Sequence, residues 1–264
     1  MRGLHPARLL VLMALAGFIL LPLVQVVMLS FLNTLPREGL AEGTPSLINY
    51  ANILSSPELR AALGNSVAYV TLNVALCLTA GLPAAYAISR HRFVGDRHLL
   101  FALLLFRMTP PVVLSLPVFI LFAQLGLVDS PVGIALVHCL FNLPIAIWIL
   151  ESFISAIPKE FDETAFLDGH SLPSFFFRHL IPAIAPGIGV AAFFCFIFSW
   201  VEVVFARILT VTGGKPITMA INALFTFQTD IGLVMAMTVV SLVPGLAMIW
   251  FVRNQIARGF TMRT

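Results

Sequence analysis

Residues 9–31 read LLVLMALAGFILLPLVQVVMLSF, 23 consecutive positions without one charged side chain. A hydrocarbon core of roughly 30 Å needs about 20 mainly apolar residues in an α-helix to cross it. This stretch meets that length and presents no polar face to water. Arg2 and Arg8 precede it, as basic residues precede a secretory leader. The run exceeds the short apolar core of a leader, and no small-x-small cleavage site ends it, so the sequence predicts a retained first span.

Carried along the chain, the same criterion finds five further stretches, about 65–89, 99–122, 132–151, 183–206 and 231–252. Pro22, Pro83, Pro110, Pro111, Pro144, Pro186 and Pro244 lie inside these runs. Membrane helices tolerate proline where neighbouring groups take up the freed carbonyls. None of the runs alternates with period 2, which excludes a β-barrel. Composition agrees: 59% of the 264 residues are apolar and 10% charged, with a mean hydropathy of +1.00. Soluble domains are about 25% charged, and this chain has too little polar surface to coat a globule. The expected fold is an all-α integral membrane protein with six transmembrane helices, one membrane domain over residues 1–264 without internal repeats.

Basic residues set the orientation. Six spans put both termini on one side, together with the loops near 90–98 and 152–182. That side carries Arg2, Arg8, Arg90, Arg92, Arg97, Lys159, Arg178, Arg253, Arg258 and Arg263, ten in all, against Arg37, Arg60, Arg207 and Lys215 on the other. Lys and Arg accumulate on the cytoplasmic face of inner-membrane proteins, so both termini are predicted to be cytoplasmic. The outward segment of about 32–64 contains Pro36, Gly39, Gly43, Pro45 and Pro57 and reads as loop with a short helix. The net charge of +3 follows from the same loops. No basic stripe interleaved with aromatics points to nucleic acid.

Catalytic patterns are missing from the sequence. Gly213-Gly214-Lys215-Pro216 lacks the spacing of a phosphate loop and follows no strand, so it reads as an external turn. Cys77, Cys139 and Cys195 sit in apolar runs without metal-ligand spacing and read as small packing residues. His91, His98, His170 and His179 border cytoplasmic loops, and His138, inside a span, reads as a packed or hydrogen-bonded group. No metal or cofactor site is expected on this chain.

The loop from Glu151 to Pro182, ESFISAIPKEFDETAFLDGHSLPSFFFRHLIP, is too long and too patterned for a connector. Ile157-Pro158 opens a helix with proline in the first turn. Glu160, Asp162 and Glu163 then lie near the positive end of the helix dipole. Phe161 and Ala165 share one face at i, i+4. Asp168-Gly169 breaks the helix, with Gly169 suited to the left-handed position after a C-cap. Ser171 caps a second helix through Phe175, Phe176 and Phe177, which stops before Pro182. Two short helices joined at a glycine, with exposed aromatics, are therefore expected in the cytoplasm. From the residues alone a structural cap on the bundle is the favoured reading.

Glu163-Thr164-Ala165, Gly169 and Ile181-Pro182 resemble the EAA loop of permease subunits in binding-protein-dependent ABC importers. That family pattern runs E-A-A, three residues, G, nine residues, I, one residue, L-P. Both spacings are kept here, from Ala165 to Gly169 and from Gly169 to His179. Thr164, His179 and Ile181 depart from it. Ile157-Pro158-Lys159-Glu160 with Asp168-Gly169 is similar to the carbohydrate-uptake branch, which includes the maltose-transporter permeases. So are Ala84-Ala85-Tyr86-Ala87 followed by Ser89-Arg90 and Gly95, Asn65-Ser66, Pro110-Pro111, Leu125-Gly126-Leu127-Val128-Asp129 and Ser199-Trp200-Val201-Glu202. The resemblance covers most of residues 60–260.

The resemblance implies a permease subunit for a sugar, polyol or related solute. It implies a homologous second permease, two ATPase subunits and an extracytoplasmic solute-binding protein as partners, with ATP and Mg on the ATPase. It assigns coupling to the ATPase to Phe161, Glu163, Ala165, Phe166, Asp168, Gly169 and Pro182, the two phenylalanines filling the ATPase groove. Arg107, some nine residues into its span, Asn142 in mid-span, and Trp200 and Glu202 near an outer end are candidates to line a pathway for a hydroxyl-rich solute. Helix-to-helix glue is the equal alternative for Arg107 and Glu202. An ion-coupled secondary transporter is the rival function; it asks for acids or broken half-helices at the midplane.

Overall fold

The computed structural model describes residues 6–35, 41–91, 96–225 and 229–261. Arg2, Pro36, Arg37, Gly39, Arg92, Gly95 and Arg263 lie outside the described residues, as do the side chains of Arg97 and Arg258. In chain order the helices are α1 (Pro6–Ser30), α2 (Ile48–Ser55), α3 (Pro57–Arg90), α4 (Asp96–Arg107), α5 (Pro111–Gln124), α6 (Pro131–Ser155) and α7 (Glu160–Leu167). Then come α8 (Leu172–Phe175), a π-helical turn (Phe176–Leu180), α9 (Ile181–Ala183), α10 (Ala185–Trp200), α11 (Val204–Leu209), α12 (Ile217–Ala223) and α13 (Ile231–Thr261). Among the described residues the only β-type pairing is an isolated bridge between Leu32 and Pro45.

Among the described residues four helices are long and apolar enough to cross a membrane alone: Arg8–Ser30, Pro57–Arg90, Pro131–Ser155 and Ile231–Arg253. Two bent pairs complete six: His98–Arg107 with Pro111–Gln124 at 92°, and Leu172–Ala183 with Ala185–Trp200 at 82°. The all-α membrane class expected from the sequence is therefore the observed one. The third and fifth runs are not continuous spans, however. Pro110 drives the residue before it out of helical geometry, and Pro111 starts α5 at a position that needs no N–H. In the fifth run α10 stops at Trp200, and α11 begins four residues later because the Glu202 carboxylate accepts the Phe205 and Ala206 amides. The second run, expected over 65–89, is a helix of 34 residues. Pro57 at its start and the Ser56 hydroxyl, which accepts the Leu59 amide, nucleate it eight residues earlier than its apolar part.

The chain divides into two compact units. One comprises Met1–Ala61 and Ala220–Pro244. There the Asn49 amide donates to the Ser30 and Leu32 carbonyls, and the Thr34 hydroxyl donates to Asp230 while accepting the Gly232 amide. The apolar flanks of α1 are exposed almost throughout, as suits a helix solvated by lipid.

The other unit comprises Ala62–Met219 and Gly245–Thr264. Its largest buried cluster gathers Ala85 and Tyr86 of α3, Ile147, Ile149, Leu150 and Ile154 of α6, Ala191 of α10 with its N-cap Ile184, and Ala165, Phe175 and Leu180 from the 151–182 loop. The loop is thus rooted in the core. Gly187 lets the Phe153 ring lie directly against the α10 backbone, where any Cβ would collide with it. A second cluster joins Tyr69, Val118, Ile134, Val137, Phe205 and Leu209. Cys77, Cys139 and Cys195 are free thiols in one buried group from α3, α6 and α10, in keeping with their reading as packing residues.

Candidate functional site

Helix α7 is set by its ends. Glu160, Asp162 and Glu163 occupy its first turn, where acids meet the positive end of the dipole. The helix starts at Glu160, two residues after Pro158, so the proline precedes the first turn instead of occupying it. At the other end Gly169 has φ +84°, the left-handed conformation that the Asp168-Gly169 pair predicts. The His170 amide bonds to the Ala165 carbonyl at 3.1 Å and the Gly169 amide to the Phe166 carbonyl at 3.0 Å. This is a Schellman ending, the paired bonds that satisfy the last carbonyls of a helix.

A buried ion pair fixes the helix laterally. Arg90, the last residue of α3, donates from Nε to Asp162 Oδ2 at 2.7 Å and from a terminal nitrogen to Oδ1 at 3.0 Å. Its other terminal nitrogen bonds the Ile157 carbonyl, and the two side chains are only 7% and 8% exposed. Sequence reasoning treats Asp162 only as a dipole acid. The signal available was its place three residues before Ala165, on the face turned from Leu167.

Ala165 is buried in the core. Phe161 and Phe166 lean on the buried ring of Phe175, with centroids 6.2 and 5.1 Å away, and keep outward edges exposed. Leu167 is 88% exposed. Glu160, Phe161, Thr164, Ala165, Asp168 and His179 line a groove of about 320 Å³. Ser171 stands at the N-cap of α8, as expected, though without a side-chain cap bond. The second helix does not stop before Pro182: it widens to a π-turn over Phe176–Leu180 and continues through Pro182 to Ala183. The Ile181 amide reaches back five residues to Phe176. A proline ring clashes with the carbonyl four residues earlier, here Arg178, and the wider turn relieves that clash.

The second region is a pocket of about 200 Å³ lined by Arg107, Pro111, His138, Phe141, Asn142, Phe198, Glu202 and Phe205. Arg107 ends α4 instead of lying within a continuous span. Its guanidinium donates to the Phe141 carbonyl and to Asn142 Oδ1 at 3.4 Å, and stacks 4.0 Å from the Phe198 ring centre. Asn142 donates to Asn73 Oδ1 at 2.9 Å, and Asn73 in turn bonds the Ala135 carbonyl. His138 Nδ1 pairs with the Ser199 hydroxyl, and its Nε2 lies 3.4 Å from Glu202 Oε2 without hydrogen-bond alignment. Arg107, Asn142 and Glu202 therefore meet in one place. Trp200 does not join them: it is buried, stacked on Phe196 at 5.5 Å. Ser199, part of the Ser199-Trp200-Val201-Glu202 fragment, joins through His138, while Asn73 and Phe198 complete the cluster unannounced by any motif. Glue and lining are not exclusive at Arg107, which ties α4 to α6 while facing the pocket.

In the same unit, Asp129 (φ +57°) accepts the Thr212 amide and hydroxyl and the Gly213 amide. These bonds, led by the Thr212 hydroxyl, hold its carboxyl below the usual range.

A bundle of spans with a helical loop rooted in its core and a polar pocket within it is the build of a transport permease. Residues 77–258 match the family described as the inner membrane component of binding-protein-dependent transport systems. The chain is 31% identical over 251 residues to the trehalose transport system permease protein SugB of Mycobacterium tuberculosis, covering 93% of this chain and 92% of that protein. It is 30% identical to the trehalose/maltose transport system permease protein MalG of Thermococcus litoralis, over 92% and 90% of the two chains. A crystal structure of a bacterial ABC transporter that imports the acidic polysaccharide alginate has a chain of the same fold, with a TM-score of 0.77 at 19% identity over 97% of this chain and 99% of that one. The chain belongs to the family of binding-protein-dependent inner membrane components. It is a multi-pass permease subunit of an ABC importer, which removes the ion-coupled alternative.

Proposed function

We propose that this subunit forms half of the translocation pathway for a sugar, polyol or related solute and that the 151–182 loop couples it to an ATPase. The observation that carries the coupling role is α7 itself. It ends on a Schellman glycine, is pinned by Arg90, and presents Leu167 with the edges of Phe161 and Phe166 outward. Glu163 and Asp168 flank that apolar face, which suits an apolar groove with a basic rim. Ala165 and Pro182 root and orient the loop. Trehalose and maltose in the names of the two relatives support a carbohydrate. Arg107, Asn142 and Glu202 supply amide, cationic and anionic groups that bond hydroxyls in the pathway.

The working assembly has a homologous second permease, two ATPase subunits that hold ATP and Mg, and an extracytoplasmic solute-binding protein. Both termini and the 151–182 loop face the cytoplasm, following the excess of Lys and Arg on that side. ATP cleavage belongs to the ATPase subunits, and this chain binds no cofactor. ATP-driven closure of the ATPase dimer displaces α7 and shifts the bundle between two states. Co-purification of the reconstituted complex, with solute uptake into vesicles, tests the reading. Normal ATPase recovery and uptake in a Glu163→Lys, Gly169→Val double variant would overturn it, as would a C-terminal tag found outside the cell.

A further inference from the structure

We infer that α3 is the strut that carries the state of the 151–182 loop to loop 210–217 on the opposite side of the membrane, with Arg90 and Asp162 as its inner joint. The inference rests on α7 being the element that docks on the ATPase. Tyr69 and Arg90 are 21 positions apart on one unbroken helix. At 1.5 Å per residue that is about 31 Å, the thickness of the hydrocarbon core.

Both ends of this length are joined by directional bonds to segments remote in sequence. At the inner end the Arg90 fork grips both Asp162 oxygens and the Ile157 carbonyl. Tyr86, one turn back, packs on Phe175 and Phe176 with ring centroids 5.8 and 4.9 Å away. At the outer end the Tyr69 hydroxyl donates to the Gly214 carbonyl at 2.5 Å, and the Asn65 amide donates to the Lys215 carbonyl at 3.2 Å. Ser66 Oγ accepts the Ile217 amide at 2.8 Å. One turn in from Tyr69, Asn73 bonds α6 through Asn142 and the Ala135 carbonyl.

The contrast with α6 explains why the ion pair matters. Helix α6 is continuous with the loop in sequence, but the four residues between Ser155 and Glu160 form turns that absorb motion as a hinge. Helix α3 has no covalent link to α7, and apolar packing alone slides. A bidentate, buried pair does not slide without stranding a charge. Displacement of α7 therefore draws Arg90 with it, and a continuous helix delivers that movement to the carbonyls of Gly214 and Lys215. Arg90, Asp162 and Tyr69 are positioning residues, acting through the helix and not on the solute.

The test uses the full complex in lipid nanodiscs, with an environment-sensitive fluorescent amino acid replacing Val211, which is 57% exposed. The probe emission should change on ATP addition in the otherwise unaltered complex. Asp162→Asn, which keeps shape and removes charge, should cut that change about fivefold or more in complexes that still hold their ATPase subunits. Tyr69→Phe, which removes one hydroxyl at the far end, should do the same, and it decides the question if Asp162→Asn fails to assemble. An ATP response of full size in either assembled variant, or none in the unaltered complex, overturns the strut. Failure of the unaltered complex to recruit ATPase through the loop sinks the docking reading instead, so the two failures are distinct.

Discussion

The 151–182 loop and the Arg107 pocket both organise polar groups around a charged side chain, yet they are written into the chain in opposite ways. The stop of α7 is made by residues 165–170 bonding among themselves. The pocket takes Arg107 from α4, His138 and Asn142 from α6, Phe198 from α10 and Glu202 from the break after it. Short-range geometry leaves a spacing that can be read. Convergence of distant helices leaves only scattered polar letters in apolar runs. A substitution in the loop should therefore act through local backbone geometry, whereas one in the pocket should act through the partners it strands.

The sharpest way to break that contrast is Gly169→Val. A β-branched residue at φ +84° costs about 1–2 kcal/mol and removes the position that closes α7. Uptake should fall about tenfold or more, a factor that about 1.4 kcal/mol covers, with normal membrane insertion measured by yield of the folded chain. A variant transporting at the original rate would show that the loop geometry is not the working part. Glu163→Lys comes next, reversing an exposed charge at the start of α7. ATPase recovery on co-purification should drop severalfold, and less in high salt because exposed charges are screened.

In the pocket, Arg107→Ala should lower uptake or complex yield by a smaller factor. It frees the Phe141 carbonyl and empties the face of Phe198. Arg107→Lys should keep part of either function, since an ammonium lacks the planar fork. Equal loss in both variants would mean that charge alone is irrelevant there. The smallest effect is expected at Asp129, whose carboxyl is held low by Thr212 and Gly213. Its bonds stabilise loop 210–217 above the unfolded pKa and are lost as pH falls through the folded value, which lies lower. Hydrogen-exchange protection of the Thr212 and Gly213 amides, taken relative to the intrinsic rate at each pH, should stay constant from neutral pH to about 4, the ordinary Asp value, and fall only below it.

The sequence carries the spans, the loop and Gly169 because each depends on composition or on neighbours within a turn or two. It misplaces what tertiary contacts decide. The break at Arg107–Pro111 was visible as Pro110-Pro111, but proline in membrane helices is common, and its 92° outcome depends on packing. Asp162 reads as one of three acids until α3 is seen to end against it. Trp200 has the chemistry of a sugar platform and is buried on Phe196 instead. The fragment Leu125-Gly126-Leu127-Val128-Asp129 makes sense once Gly126 and Asp129 both prove left-handed and Asp129 proves to hold loop 210–217.

The π-turn at Phe176–Leu180 has a consequence for how such genes can change length. Each π-turn holds one residue more than the α-turn it replaces, so the stretch from Gly169 to Pro182 has an extra residue stored inside a helix. Deleting one residue there, together with replacement of Pro182, would let the segment relax to α geometry and leave Phe175 and Ile184 facing the same neighbours. Deleting one residue between Asp162 and Ala165 has no such reserve. It would rotate Ala165 by about 100° against Asp162, so the core contact and the Arg90 pair could not both be kept.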